Sequence, residues 1–294
     1  MIVRTYDTAA QRGGILRHLL GLFGYSGLIW RNRYMVHNFF RRELMGRFHG
    51  SFLGAWWMLV QPIVLFAIYY LVFGMLYGRG GDDPNFAVYL FSGVIVFHSV
   101  SEATMQSCNS VTGNSSLVKK VAFPSEVLPI PIAMIAVVLY LIGAVVCLVS
   151  GLIIGSITPG WHWLLIPVIC AVQFVMCVGM GLFLANANVF IRDVGQLWRI
   201  VTMAWMFLSP VFWKPDMAIG ALGRTWADVM FHVNPMFSLV MLHRYALGGE
   251  LLGSPPGAPE FWSMFWTVVA WSFGFLALGY SMFAASKHKF ADVV

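Results

Sequence analysis

The sequence predicts an all-α integral membrane protein, and three observations carry that prediction. Hydrophobic residues make up 59% of the 294-residue chain and charged residues only 10%, whereas a soluble domain has about a quarter charged residues with which to cover its surface. The apolar residues run contiguously rather than periodically, and several runs reach the roughly 20 residues that cross a bilayer. Lysines and arginines gather at the ends of those runs rather than in one patch.

Taken in order, the runs read as six spans. The first extends from Ser51 to Tyr77 and ends in Gly78-Arg79-Gly80-Gly81-Asp82-Asp83-Pro84, a loop composition. The second covers Phe86 to Ser107, and a polar segment from Asn109 to Glu126 follows it, closed by Phe123-Pro124. The third covers Val127 to Ile154 and stops before Thr158-Pro159-Gly160; the fourth covers Trp161 to Phe190. The fifth is placed at Leu197 to Trp213 and the sixth at Phe261 to Ala285. Between these two, Lys214 to Glu260 is too polar to span and too apolar for a plain loop, so it is expected to hold short re-entrant or interfacial helices. Residues 1–50 form an N-terminal segment with an interfacial helix, residues 51–285 the six-helix domain, and residues 286–294 a tail. The apolar run from Ile15 to Trp30 is broken by Arg17 and His18 and is not expected to act as a cleavable signal.

Lysine and arginine placement sets the orientation, because cytoplasmic segments near membrane ends carry the excess. Six spans put both termini on one side. That side collects Arg4, Arg12, Arg17, Arg31, Arg33, Arg41, Arg42 and Arg47, then Lys119 and Lys120, Arg192 and Arg199, Lys287 and Lys289. The other side holds Arg79, Lys214, Arg224 and Arg244. Both termini are therefore expected inside the cell. The net charge of +6 hugs membrane ends, which argues against a nucleic-acid partner and for membrane lipid.

The stretch from Leu28 to Leu44 reads as a helix lying along the membrane surface. Val36, Phe39, Phe40 and Leu44 share one face, and Arg31, His37, Asn38, Arg41 and Arg42 the other; Asn32, Arg33 and Glu43 fall on the apolar side. Such a helix sits at the headgroups with arginines toward anionic lipid, and it can also serve as a ledge for a cytoplasmic partner. In the Asn109–Glu126 segment, Leu117-Val118-Lys119-Lys120-Val121-Ala122-Phe123-Pro124 is more than a connector needs. An exposed Leu/Val/Phe cluster in the cytosol reads as a docking surface.

Glu102 is the acid placed inside a span, among Ser99, Ser101, Thr104, Gln106 and Ser107. A charge at that depth faces protein or water, so it either pairs with an arginine or lysine near the cytoplasmic mouth or borders a substrate route. Aromatic residues are abundant, with 12 Trp, 10 Tyr and 24 Phe. Most belong to interfacial belts and packing, while Tyr69, Tyr70, Phe73 and Tyr77 are candidates for a surface on which sugar rings slide. Cys108, Cys147, Cys170 and Cys177 read as apolar fillers. No lysine is followed by Ser or Thr, so a phosphate-binding P-loop cannot form. No metal site or catalytic motif stands out.

Several short motifs, in order, resemble the permeases of the ABC-2-type polysaccharide export family. They are Arg47-Phe48-His49-Gly50-Ser51-Phe52-Leu53-Gly54-Ala55-Trp56-Trp57 with Pro62, the Leu117–Pro124 stretch, Arg192-Asp193, Asn234-Pro235, and Phe290-Ala291-Asp292-Val293. The resemblance implies a homodimer that works with two copies of a cytoplasmic ATPase, which would bind ATP and Mg; this chain would hold no cofactor. It implies outward movement of lipid-linked O-antigen, capsular polysaccharide or teichoic acid. Arg41, Arg42, Leu117, Val118, Lys119, Lys120 and Phe123 would receive the ATPase stroke, and Lys214–Glu260 would form the outer gate. The competing expectations are an exporter of drugs or small lipids, and a membrane-bound glycan polymerase or acyltransferase using His232, Arg224 and Asp228.

Overall fold

A computed structural model describes residues 24–76, 85–119 and 123–293. Tyr77, Lys120 and the basic residues before residue 24 lie outside them. Among the described residues every regular element is helical, and five helices are long and apolar enough to cross a membrane. After a helical stretch at residues 24–31, α1 (Arg33–Gly46) packs against the start of the third span. The turn out of α1 depends on Gly54, whose φ of 52° lies in the left-handed region that a side chain disfavours. The first span then begins as α2 (Trp57–Tyr69) and continues as a π-helix, Tyr70–Leu76.

The second span, α3 (Phe86–Cys108), is the enclosed centre of the bundle. The short α4 (Ser115–Val118) leads to α5 (Pro129–Ile154), whose Pro129 and Pro131 sit in the first turn, where the missing N–H costs nothing. A 3-10 turn at Trp161–Leu165 feeds α6 (Ile166–Phe190), and α12 (Phe261–Ser286) is the last span. α6 and α12 make the closest helix pair. A Cβ on Gly279 would meet the Gly179 carbonyl, and one on Gly179 would meet the backbone of Phe275 and Leu276. Small residues let two backbones touch where lipid supplies no hydrophobic drive.

The fifth expected span is shorter and earlier than Leu197–Trp213. It is α7 (Val194–Leu208), 15 residues or about 22 Å of rise, below the roughly 30 Å of a bilayer core. Pro210 is the reason: the residue before a proline is driven out of the helical region, and Ser209 is extended at φ −101°, ψ 152°. Hydropathy could not show this, because Val211-Phe212-Trp213 prolong the apolar run.

The Lys214–Glu260 stretch folds into α8 (Pro215–Leu222), α9 (Arg224–Val233), α10 (Pro235–Gly248) and α11 (Glu250–Gly253). α8 and α9 expose Met217, Trp226, Val229 and Val233, as interfacial helices do. α10 differs: every residue in it but Tyr245 is buried, so it is walled in by protein. Asn234 starts it by accepting the Met236 N–H at 3.1 Å. A short α13 (Phe290–Val293) ends the described chain.

Candidate functional site

The helix α1 folds with the expected sidedness. Val36 is buried and Phe39, Phe40 and Leu44 are half-buried, while Arg31, His37, Asn38, Arg41 and Arg42 are exposed. Arg33 departs from expectation by rolling outward, its guanidinium 5.1 Å from the Trp30 ring centre and 4.7 Å from that of Tyr34. Cation–π contact holds it clear of the apolar side.

Next to α1 lies the segment between α3 and α5. Arg42 Nη2 donates to Asn114 Oδ1 at 3.1 Å, and Phe39 meets Phe123 edge-on with centroids 6.3 Å apart. Arg42 and Phe39 of α1 thus reach the two ends of this segment, Asn114 just before α4 and Phe123 after it. The exposed apolar cluster expected there is corrected. Leu117, Val118 and Phe123 are half-buried, with Val118 and Phe123 packed against the core; Phe39 of α1 covers Phe123, and α13 packs on the helix that holds Leu117 and Val118. What faces outward is Arg41, Ser116 and Lys119.

Glu126 was not singled out in the sequence, yet it ties this face together. It is 2% exposed, and Lys287 Nζ donates to its Oε1 at 2.5 Å. Its backbone carbonyl accepts the Tyr25 hydroxyl at 3.0 Å, and Tyr25 packs on Tyr280 at 4.9 Å. Burial, reinforced by the Glu126 charge, pushes the Tyr25 phenol well above its ordinary range, so it remains a donor. One residue therefore joins the N-terminal helical stretch, the end of the α3–α5 segment and the end of α12. Phe290 adds a second tie, buried between Phe190 at 6.1 Å and Phe283 at 5.0 Å. The sequence signals were the placement of Glu126 at a span end and, for Phe290, its place in the Phe290-Ala291-Asp292-Val293 motif.

Glu102 pairs with an arginine, one of the two roles expected for it. Arg47 Nη1 donates to Glu102 Oε1 at 2.6 Å, Arg47 Nη2 to Gln106 Oε1 at 2.6 Å, and Gln106 Nε2 to Glu102 Oε1 at 2.9 Å. The aromatic candidates split. Tyr69 and Phe73 neighbour each other at 6.2 Å, and Phe73 packs edge-on against Phe86 of α3 at 6.0 Å. Tyr70 stacks on Phe66 at 6.1 Å and is 36% exposed. They do not form a single open ladder.

At the far end the structure holds a site the sequence reading missed. Arg244, counted there as a charge at the outer surface, is fully buried in α10. Among the described residues it reaches no carboxylate. Nη1 donates to the Pro210 carbonyl at 2.5 Å and Nη2 to that of Val211 at 3.1 Å, just where α7 breaks. Nη2 also donates to the Tyr89 carbonyl at 2.9 Å, and the guanidinium lies 3.5 Å from the Tyr89 ring centre. A helix end inside a membrane protein leaves carbonyls that need donors, and arginine offers five in a planar fork.

Residues 36–248, from α1 to the last residue of α10, match the family described as ABC-2 type transporter. The chain belongs to this family. An "O-antigen export system permease protein RfbA" of Myxococcus xanthus is 27% identical over 226 residues, covering 77% of this chain and 82% of the relative. A protein of the same name from Klebsiella pneumoniae is 24% identical over 255 residues, 86% of this chain and 92% of that one. The ABC-2 type transporter match contains Arg42, Glu102, Glu126 and Arg244, whereas Tyr25, Lys287 and Phe290 lie beyond it.

The groups proposed for an enzymatic reading are engaged locally in this ABC-2 type transporter. Arg224 pairs with Asp228 at 3.0 Å within one turn of α9. His232 contacts the Asp228 carbonyl at 2.7 Å and Ser263 Oγ at 3.2 Å. They act as helix-surface pairs and do not converge on a cavity. Among the described residues no three His, Cys, Asp or Glu side chains gather to hold a metal, and the four cysteines are buried.

Proposed function

We propose that this chain is the membrane-spanning subunit of an ATP-driven exporter that moves lipid-linked polysaccharide of the O-antigen type across the cytoplasmic membrane of a bacterium. The name shared by the relatives supports the substrate class. The observation that carries the mechanism is the basic end: α13 packs on α4, and α1 reaches the same α3–α5 segment through Asn114 and Phe123, with Arg41, Ser116 and Lys119 open to a partner. That partner is a cytoplasmic ABC ATPase in two copies, which binds ATP and Mg, and the basic end with both termini faces the cytosol. Arg41, Arg42, Leu117, Val118, Lys119, Lys120 and Phe123 receive the stroke. Leu117, Val118 and Phe123 do so as the apolar packing beneath the contact rather than as the contact itself. Glu126 and Lys287 then pass motion to α12.

Two copies of the chain form the transporter, meeting along α2 and α7, the spans least enclosed within one chain. The glycan slides between them past aromatics such as Tyr70, whose contacts are individually weak, as conduction requires. Glu102 borders this route only through its pairing with Arg47. α8 and α9 form the outer gate. The test is genetic and biochemical together. Deletion should make undecaprenyl-linked glycan accumulate, and the chain should co-purify with an ATPase. Val118→Asp and Phe123→Asp should abolish export while the protein stays in the membrane. Full export by both variants would refute the coupling assignment, and ATP-independent activity of the isolated chain would refute transport.

A further inference from the structure

Between α2, α3 and α5 lies a groove of about 330 Å³ that the export scheme does not use. Its α3 wall changes character in one direction. Gln106 and Glu102 stand nearest the basic end, His98 one turn farther, and then Val94 and Ile95. The facing walls are mostly apolar, with Met58, Pro62 and Leu65 from α2 and Leu139 from α5; Gln61 of α2 and Tyr140 of α5 are the polar exceptions. A polar end at headgroup depth that gives way to an apolar channel along the bilayer normal suits an amphiphile.

The polar end is also incompletely satisfied. Arg47 Nε is buried and has no hydrogen-bond partner. Glu102 Oε2 has only the exposed His98 ring, 3.8 Å away. An unused donor and a weakly engaged acceptor thus belong to one Arg47–Glu102 pair. The charges nearly cancel, since Arg47 is already offset by Glu102 at 2.6 Å. A diphosphate head would bring more negative charge than this pair can balance, whereas a zwitterion brings none in excess.

We propose that this groove binds one phospholipid with an ethanolamine-type headgroup from the leaflet at the basic end. The ammonium lies against Glu102 and Gln106, the phosphate against Arg47 and His98, and one acyl chain runs between Leu65, Ile95 and Leu139 toward Tyr69. The lipid fastens the start of α2 to α3 beside the coupling face. The inference stands apart from the identity of the exported glycan.

The test uses the full chain with its ATPase, reconstituted in vesicles of equimolar phosphatidylethanolamine and phosphatidylcholine. Each lipid in turn carries a photoactivatable acyl chain, and labelled peptides are mapped by mass spectrometry. The ethanolamine lipid should label the peptides holding Leu65 and Leu139 about tenfold more than the choline lipid, the effect of one well-placed polar contact. Leu65→Trp and Leu139→Trp, which fill the apolar part, should each remove that labelling. Glu102→Gln should bring the two lipids to equal labelling; because both are read in one preparation, a general loss of protein does not mimic it. Equal labelling of the two lipids in the unaltered chain would mean ordinary surrounding lipid and would overturn the proposal. So would labelling displaced by polyprenyl diphosphate, which would make the groove a substrate-carrier site.

Discussion

The two ends of the molecule handle charge in opposite ways. At the basic end, cations are paired with carboxylates and partly open to water: Arg47 with Glu102 at 2.6 Å and Lys287 with Glu126 at 2.5 Å. At the far end, Arg244 is wholly enclosed and spends its donors on backbone carbonyls. The first arrangement is the looser one, because Lys287 is half in water and both Arg47 and Glu102 are partly exposed. The second cannot loosen, since nothing else in the protein interior would satisfy those carbonyls. The contrast leaves the basic end with exchangeable pairs and the α7 break with backbone carbonyls held by one enclosed guanidinium.

The sharpest way to break the comparison is at Arg244. Arg244→Met should cost more than about 3 kcal/mol, by leaving several buried carbonyls without donors, and should lower the thermal midpoint of the detergent-solubilised protein or prevent its accumulation. Arg244→Lys keeps the charge but loses the planar fork, so it should recover only part of that loss. If the Arg244→Lys variant melts at the same temperature as the unaltered protein, charge alone suffices and the fork is irrelevant.

Next in size is the closest helix contact. Gly279→Leu would drive a side chain into the Gly179 carbonyl, and overpacking of this kind costs about 1–3 kcal/mol. Gly274→Leu, on the same helix but with open space around it, should be nearly silent in the same melt.

At the basic end the effect on stability should be smaller and the effect on function larger. Lys287→Met leaves the buried Glu126 carboxylate unpaired, and a loss of about 1–2 kcal/mol is expected, with Lys287 itself half in water. Adding Glu126→Gln to Lys287→Met should restore stability without restoring export, if the pair transmits motion. Restored export would reduce it to a structural prop. Smallest of all is Asp228→Ala, which removes an exposed pair with Arg224 and should cost no more than about 0.5 kcal/mol in the same melt. A loss of export there with ATP hydrolysis intact would place this pair itself in the outer gate proposed for α8 and α9.

The helical, membrane-embedded class, the placement of five spans and the sidedness of α1 were legible because each depends on local composition. A long apolar run must become a helix in lipid, whose backbone has no other way to satisfy itself. The fifth span was misjudged by its end, since Pro210 outweighed the hydropathy of the residues after it. Leu117, Val118 and Phe123 stand together in the sequence, yet the cover of Phe123 by Phe39 and the packing of α13 on α4 depend on residues far away in the chain. Glu126 and Arg244 gave no local sign of their roles, because a lone charge in sequence looks the same whether it meets water or a carbonyl.

By itself, then, the amino-acid order determined where the chain meets lipid, which ends carry positive charge, and which family the motifs belong to. Contacts between distant segments decided the rest: that Arg244 is a clamp rather than a surface charge, that Glu126 joins three elements, and that the α2–α3–α5 groove exists at all. The physical reason is range. Hydropathy and capping act within a few residues, whereas the partner of a buried charge is chosen by packing, and packing is settled only when all the helices are in place.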